Sequence, residues 1–372
     1  MKDVYRGREQ TYLKHFLLEH YLERVGYVIG STFGSFVYVD GFSGPWQSGD
    51  EAFEDTSFMI AIRTLRRVQE GLGRIGRSPR IECLFVEKDS KTFDALQGAI
   101  AATTDIKVKA IPGAFEDVIP EILAHVGRRF SLTFIGPTGW TGIALDRITP
   151  ILCHSPGEVL INFMYDYHAR FSGLAEHRDA FIEMMGGTGF EGLNEADTIA
   201  LYCDRLRVAG DFKYVTSTRI KKPTAERSYF HLVYATRHVR GLEEFRVVEE
   251  KEIAEQERVR LEAKDLERIA RTQQPMLFSA DEVSGPRSFE EEFLGQQEKA
   301  AARLETLLES HGRISYEELL GELLVMPLVW PRAIKRLIDE QRKADRIEIE
   351  GLKDHQRTAR KGCFIALKDR GD

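Results

Sequence analysis

Five short strand candidates with apolar cores, each closed by polar or glycine-rich residues, constrain this chain more than any other feature; they fall at 35–39, 81–86, 106–111, 131–135 and 158–164. Segments of helical periodicity lie at 9–28, from 56 to about 70, and at 90–101 and 115–126. Strands covered on both faces read as continuous apolar runs, not as alternating ones. The pattern therefore predicts an α/β fold built on a parallel sheet. Right-handed crossovers would bring the strand ends to one rim, where ligands of open sheets bind. Two more strands are predicted at 212–218 and 229–236, joined by the basic turn RIKKPTAERS. Such a late β-hairpin distinguishes a Rossmann-like sheet of the methyltransferase type from a dinucleotide-binding one, which continues with parallel units.

The rest of the chain predicts helices. Residues 171–210 look helical, with a GGTGF interruption at 186–190, and 242–270 form a highly charged helical stretch. The best linker is 273–288, followed by helical 289–310. A short strand at Ile314, a helix at 316–324 capped by Ser315, a helix at 330–341 and a hairpin from 346–350 with 362–367 then read as a winged-helix-like domain. The expected division is a Rossmann-like domain over 1–245, a charged connector over 246–310, and the winged-helix-like domain over 311–372. At 372 residues the chain can bury one large core and one smaller one.

A formal net charge of −7 gives no overall attraction to nucleic acid, so any such binding needs a local patch. The four cysteines, at 83, 153, 203 and 363, form neither a disulfide framework nor a zinc-ligand cluster. They fit a reducing, cytoplasmic setting, and no metal site is expected. The N-terminus is too charged for a signal peptide, and no run of about 18 apolar residues is present to span a membrane. The GxSxG, P-loop and HExxH motifs are absent, which removes the usual support for hydrolase, ATPase and zinc-protease readings.

The first strand delivers Asp40 into Gly41-Phe42-Ser43-Gly44-Pro45. Glycines there allow a tight turn and close approach to a ligand, and the following backbone can aim N–H groups at a carboxylate. An acid beside the ligand suits the amine of S-adenosylmethionine (SAM) and would repel a pyrophosphate; the GxGxxG of dinucleotide enzymes is missing. The second strand ends in Glu87-Lys88-Asp89, where Glu87 is placed to accept both ribose hydroxyls. After the third strand, Gly113, Ala114 and Phe115 are placed to cover an adenine. For each of these residues a purely structural role in a strand-end turn stands beside the cofactor role.

The fourth strand runs into Gly136-Pro137-Thr138-Gly139-Trp140, facing the expected methyl group. Gly136 offers no side chain, Thr138 can hydrogen-bond, and Trp140 can stack on a planar substrate. Methyl transfer relies mainly on in-line positioning and needs little acid–base chemistry. Asn162 interrupts an apolar strand and requires a partner. Asp166 and His168 lie just past the strand end and, with Thr138 and Asn162, are the catalytic candidates.

Several long segments in order resemble the three-Cys-motif partner (TcmP) family of bacterial, methyltransferase-like proteins. They are YVDGFSGP at 38–45, LFVEKD at 84–89, GAFEDVIPEIL at 113–123 and FIGPTGWTGI at 134–143. EVLINFMYDYHARF at 158–171, FKYVTSTRI at 212–220 and SYFHLVYATRHVRGLE at 228–243 complete the set. The resemblance implies a SAM-binding fold and a partner bearing a three-cysteine motif, of radical-SAM type; this chain's own cysteines do not form that motif. Two departures stand out. Trp46 replaces the glycine that usually follows Gly-Pro in the first loop, and Gly136 replaces the acid of the family's DPFG-like motif. The second loss leaves open a protein that binds SAM or a partner without catalysis. In the tail, Arg332, Lys335, Arg336, Arg342 and Lys343 offer a face for DNA or RNA phosphates, so a DNA-binding regulator is a third reading, and a protein-pairing winged helix an equal alternative.

Overall fold

The computed structural model describes residues 3–44, 48–50, 53–272, 287–353, 356 and 358–368. Pro45 and Trp46 of the first loop, and 273–286 of the linker, lie outside them. The chain divides into two compact units: Met1–Arg237 with Arg258–Pro275, and His238–Glu257 with Met276–Asp372.

The first unit is a seven-stranded sheet. Its strands are β1 (Ser35–Asp40), β2 (Arg80–Glu87), β3 (Lys107–Pro112), β4 (Phe130–Ile135), β5 (Gly157–Phe163), β6 (Tyr214–Lys221) and β7 (Ser228–Thr236), in the order β3-β2-β1-β4-β5-β7-β6. β1 to β5 pair in parallel, while β7 runs antiparallel to both β5 and β6. This is the expected Rossmann-like sheet with a late hairpin. Every residue of β4, and all but the first of β1 and β5, is buried, as covering on both faces requires.

The covering helices are α1 (Glu9–Thr32), α2 (Ser57–Arg74), α3 (Ser90–Ile100), α4 (Phe115–Val126), α5 (Leu145–Leu152), α6 (Tyr165–Phe171), α7 (Arg178–Met185) and α8 (Glu195–Ala209). Local chemistry sets several of their starts. The side chains of Thr56, Asp89 and Asn194 accept the N–H groups of Met59, Thr92 and Asp197, capping α2, α3 and α8. α1 is fastened to the sheet through buried Glu158 of β5, which accepts the Tyr21 hydroxyl at 2.6 Å and the Thr236 hydroxyl at 2.9 Å. Glu82 on β2 is also buried. Burial alone would raise its pKa, but the Arg129, Lys107 and Arg80 side chains around it prevail and hold it down at about 2.

The charged stretch read as a connector is one helix, α9 (Val239–Thr272), whose residues are shared between the units. In the first unit, buried Arg260 donates to the carbonyls of Lys222 (3.0 Å) and Ala225 (3.1 Å), fixing the β6–β7 turn. The second unit adds α10 (Arg287–His311), β8 (Arg313–Ser315), α11 (Tyr316–Leu324), α12 (Pro331–Lys343), β9 (Ile347–Glu350) and β10 (Phe364–Leu367). Its three strands pair antiparallel in the order β8-β10-β9. Within this unit Arg246 donates to the carbonyls of Leu324 (2.7 Å) and Met326 (2.8 Å), and the Trp330 indole donates to Glu249 at 3.2 Å. Among the described residues no helix is long and apolar enough to cross a membrane.

α11 opens on a reciprocal cap: Ser315 Oγ accepts the Glu318 N–H, and the Glu318 carboxylate accepts the Ser315 N–H. Ser315→Ala is expected to destabilise the second unit by about 1 kcal/mol, read as a lowered urea midpoint with unchanged slope.

Candidate functional site

The strand order runs outward from β1 through β2 to β3 on one side and through β4 to β5 on the other. Loops after β1 and β4 therefore part in opposite directions and leave a crevice at the C-terminal strand ends. A cavity of about 530 Å³ lies there, lined from the loops after β1 to β5, from α1, and from β7.

Of the cofactor-site residues expected from sequence, Gly41, Phe42, Gly44, Glu87, Lys88, Gly113, Phe115 and Gly136 line this cavity, while Asp40, Ser43 and Ala114 do not. Asp40 is fully buried beneath the first loop, and its Oδ1 accepts the Phe42 N–H at 3.0 Å. Burial raises its pKa, against the pull of Ser57, the Phe42 amide, Lys14 and Ser43. The amide groups of the loop are likewise spent inside the protein. Gly41 N–H donates to Phe134 O and Ser43 N–H to Val86 O, both at 2.9 Å. The expectation that these amides point at a ligand is thus corrected: the loop backbone is a floor, and side chains supply the polar contacts.

Glu87 stands at the end of β2 with Oε1 accepting the Asp89 N–H at 2.8 Å; among the described residues Oε2 accepts nothing. Gly44 lies against this carboxylate. A Cβ there would meet Glu87 Cδ at 2.8 Å and Thr92 Cγ2 at 2.6 Å, so only glycine keeps the approach open. Gly113 has φ 138°, a conformation reserved for glycine, and lets the chain turn directly from β3 into α4. Phe115 and Phe42 face one another at 5.7 Å between ring centroids on the same wall.

The N-terminal end of α1, with Arg8 just before it, contributes the residues that sequence reading missed. Arg8, Lys14 and His15 all line the cavity. Arg8 is committed to Asp55 and to the Val4 carbonyl. His15 is committed to the Tyr5 hydroxyl at 3.1 Å, and burial drives its pKa well below the usual range, leaving it neutral. Lys14 differs. Its pKa is lowered by loss of solvent, offset by Asp40, and its ammonium lies 6.0 Å from the Phe134 ring centroid with no hydrogen bond to any described residue. No local signal marked it, since a lysine on an amphipathic helix ordinarily faces water.

At the β4–β5 end, Thr138 and Asn162 line the cavity, with Met164, Tyr167, Tyr229 and Phe230. Asn162 Nδ2 donates to Pro137 O at 3.2 Å, and its Oδ1 is buried without a partner among the described residues. A buried acceptor left open is costly unless a ligand completes it. Asp166 and His168 are not cavity residues. They belong to α6, a helix unforeseen in sequence, which carries Asp166 to Arg170, Lys222 and Arg227. His168 goes into an aromatic nest of Phe163, Tyr165, Phe181 and Phe190. Trp140, read as a substrate platform, stacks on Phe181 at 4.9 Å. Among the described residues no group of His, Cys, Asp and Glu is arranged to hold a metal ion.

In the second unit, Arg332 pairs with Glu250 and lies over Trp330, and Arg336 faces Glu340 at 3.6 Å. Part of the basic face read on α12 is thus neutralised by the protein itself.

No protein-family model matches the chain, and no curated protein matches it significantly. Among solved structures, one likeness is to protein LPL1258 from Legionella pneumophila, of family DUF519. It has a TM-score of 0.35 and 10% identity over 60% of this chain and 85% of that one. Another is to loganic acid methyltransferase with SAH, at a TM-score of 0.32 and 10% identity over 67% of this chain and 84% of that one. Both are distant resemblances, and neither protein's fold or chemistry carries over at such a level.

His168 makes the site's surroundings testable. Burial lowers its pKa from 6.5 to about 4, so its contribution to stability is complete above pH 6.5 and is lost as pH falls toward 4. Between pH 7 and pH 5 wild type is expected to lose about 2 kcal/mol more than His168→Phe, by urea unfolding at both pH values. Equal losses would show a solvated imidazole.

Proposed function

We propose that the cavity binds SAM and that the protein is a SAM-dependent methyltransferase of the TcmP type. The observation that carries this reading is Glu87: a carboxylate at the end of β2 with one oxygen accepting nothing among the described residues, held against Gly44 of the loop after β1, the strand beside which the order reverses. A carboxylate there accepts a pair of ribose hydroxyls, as in other nucleotide-binding sheets. Phe115 and Phe42 provide an apolar wall for the adenine, and Gly113 leaves room beside it. Lys14, the one cation of the inner wall without a partner among the described residues, suits the carboxylate of the amino-acid portion, with Asp40 positioned behind it. Asn162 Oδ1 is the acceptor available to orient an N–H or O–H group of the substrate.

Bound SAM supplies an electrophilic methyl group; the chain's own residues bind, orient and exclude water. No carboxylate or imidazole lines the β4–β5 end of the cavity among the described residues, which fits a reaction driven by positioning. The same observation favours a second reading, a protein that holds SAM and a three-Cys-motif partner without transferring the methyl group. The second unit has the element order of a winged helix, β8 between two helices and a terminal two-stranded wing, and we read it as one.

Calorimetric titration is expected to show S-adenosylhomocysteine binding that Glu87→Ala weakens by at least about tenfold, the loss of charge-assisted hydrogen bonds worth about 1.5–3 kcal/mol. Lys14→Met should weaken S-adenosylhomocysteine but leave 5′-methylthioadenosine, which lacks the carboxylate, unchanged. Absence of binding, or indifference to Glu87→Ala, would remove the reading. Label transfer from SAM separates an enzyme from the binding-only alternative.

A further inference from the structure

The β5–β7 end of the cavity opens beside a concentration of positive charge that the net charge of −7 conceals. Arg170, Lys222 and Arg227 share the single carboxylate of Asp166. Lys264, 40% exposed at the side chain, reaches the carboxylate of Glu226, in the same β6–β7 turn as Arg227. Three basic side chains thus rest on Asp166, with a fourth nearby on α9. Arg170 and Arg227 are 49% and 62% exposed at the side chain, so their pairing with Asp166 is weak and exchangeable.

Two half-exposed tyrosines stand between this patch and the cavity. Tyr167 on α6 and Tyr229 on β7 both line it, above Met164 and Phe230. The Lys222 ammonium lies 5.5 Å from the Tyr229 ring centroid, tying the aromatic wall to the basic one. Of the acids lining the cavity, Glu87 and Asp89 stand at the end of β2 and the start of α3, and Asp55 is already paired with Arg8. Aromatic faces that stack on bases, flanked by cations that track phosphates, are how single-stranded nucleic acid is held.

We infer that the acceptor is a base of a single-stranded nucleic acid, admitted between Tyr167 and Tyr229 while the exposed Arg170, Arg227 and Lys264 hold its phosphates. The inference takes the cavity as the SAM site proposed above, but the strand-binding surface stands on its own residues. A base in a duplex would have to leave its stack to reach this cavity, whereas an unpaired one enters directly.

The test uses the full chain and a fluorescein-labelled 20-nucleotide single strand of mixed sequence, as DNA and as RNA, in anisotropy titrations across a salt series. Arg170→Gln with Arg227→Gln should weaken binding about tenfold and reduce the salt slope by about 1.4, the value for two phosphate contacts on a single strand. Tyr229→Ala should weaken it about tenfold without changing the slope. S-adenosylhomocysteine affinity, measured on the arginine double variant, should stay at the wild-type value; unchanged far-UV circular dichroism and urea midpoints show that all the variants are folded. Binding that ignores all three substitutions, no binding in 50 mM salt, or equal competition by AMP and the strand at matched phosphate concentration would overturn the inference. Failure of S-adenosylhomocysteine to bind wild type, with strand binding still sensitive to these residues, would remove the cofactor reading and leave the strand surface standing.

Discussion

A parallel strand cannot pair again until the chain has crossed over the sheet, and that requirement fixes where this protein can place polar chemistry. Every crossover returns to the same end, so the loops leaving β1 to β5 share one rim. Because the order reverses beside β1, the rim is split, and the crevice is the one place where main chain from several strands converges without being covered by the sheet's own helices. The cavity, the Glu87 carboxylate and the half-exposed tyrosines follow from that geometry.

Charge within the first unit is correspondingly sorted. Two acids of the cavity, Glu87 and Asp89, stand at the end of β2 and the start of α3, while Asp55 before α2 pairs with Arg8. Lys14, with no hydrogen bond among the described residues, comes from α1, and exposed cations gather around Asp166 and the β6–β7 turn. Such sorting costs stability wherever like charges approach, and the protein offsets it by sharing carboxylates: Glu82, Asp166 and Glu226 each serve several bases. The lining between, residues 136–139 and 141 with Asn162 and Met164, carries no charged side chain among the described residues and offers Thr138, Thr141 and Asn162 for hydrogen bonding.

β1, β2, β4 and β5 were legible because double burial leaves mainly apolar residues to write, with Glu82, Glu158 and Asn162 as buried exceptions. β3, at the sheet edge, is only partly buried and alternates with Lys107 and Lys109. The hairpin was legible too, with one displaced edge: Phe212 reads as strand, yet it is buried against the Arg237 guanidinium before β6 begins at Tyr214. α5 escaped because Pro150 sits inside it, and α6 because it starts immediately after a strand with no capping side chain. That second omission mattered for the site. Read as a loop, 165–168 offers Asp166 and His168 to a substrate; wound as a helix, it turns one to a cluster of cations and the other into aromatic packing. Lys14 was illegible for the opposite reason, since its helix was foreseen and its polar position looked like an ordinary solvated one. Glu87 and Gly44 were legible because strand-end position alone predicts them.

The first loop has a thermodynamic corollary. With the amides of Gly41, Phe42 and Ser43 already satisfied internally, the backbone of these three residues is ordered before anything arrives. Ligand capture then has little chain entropy to remove from this segment, and recognition reduces to exchanging solvent for side-chain contacts on a rigid template. Selectivity in such a template resides in the shape of a pre-cast floor, so a ligand too bulky beside Gly44 is refused at contact instead of being accommodated by rearrangement.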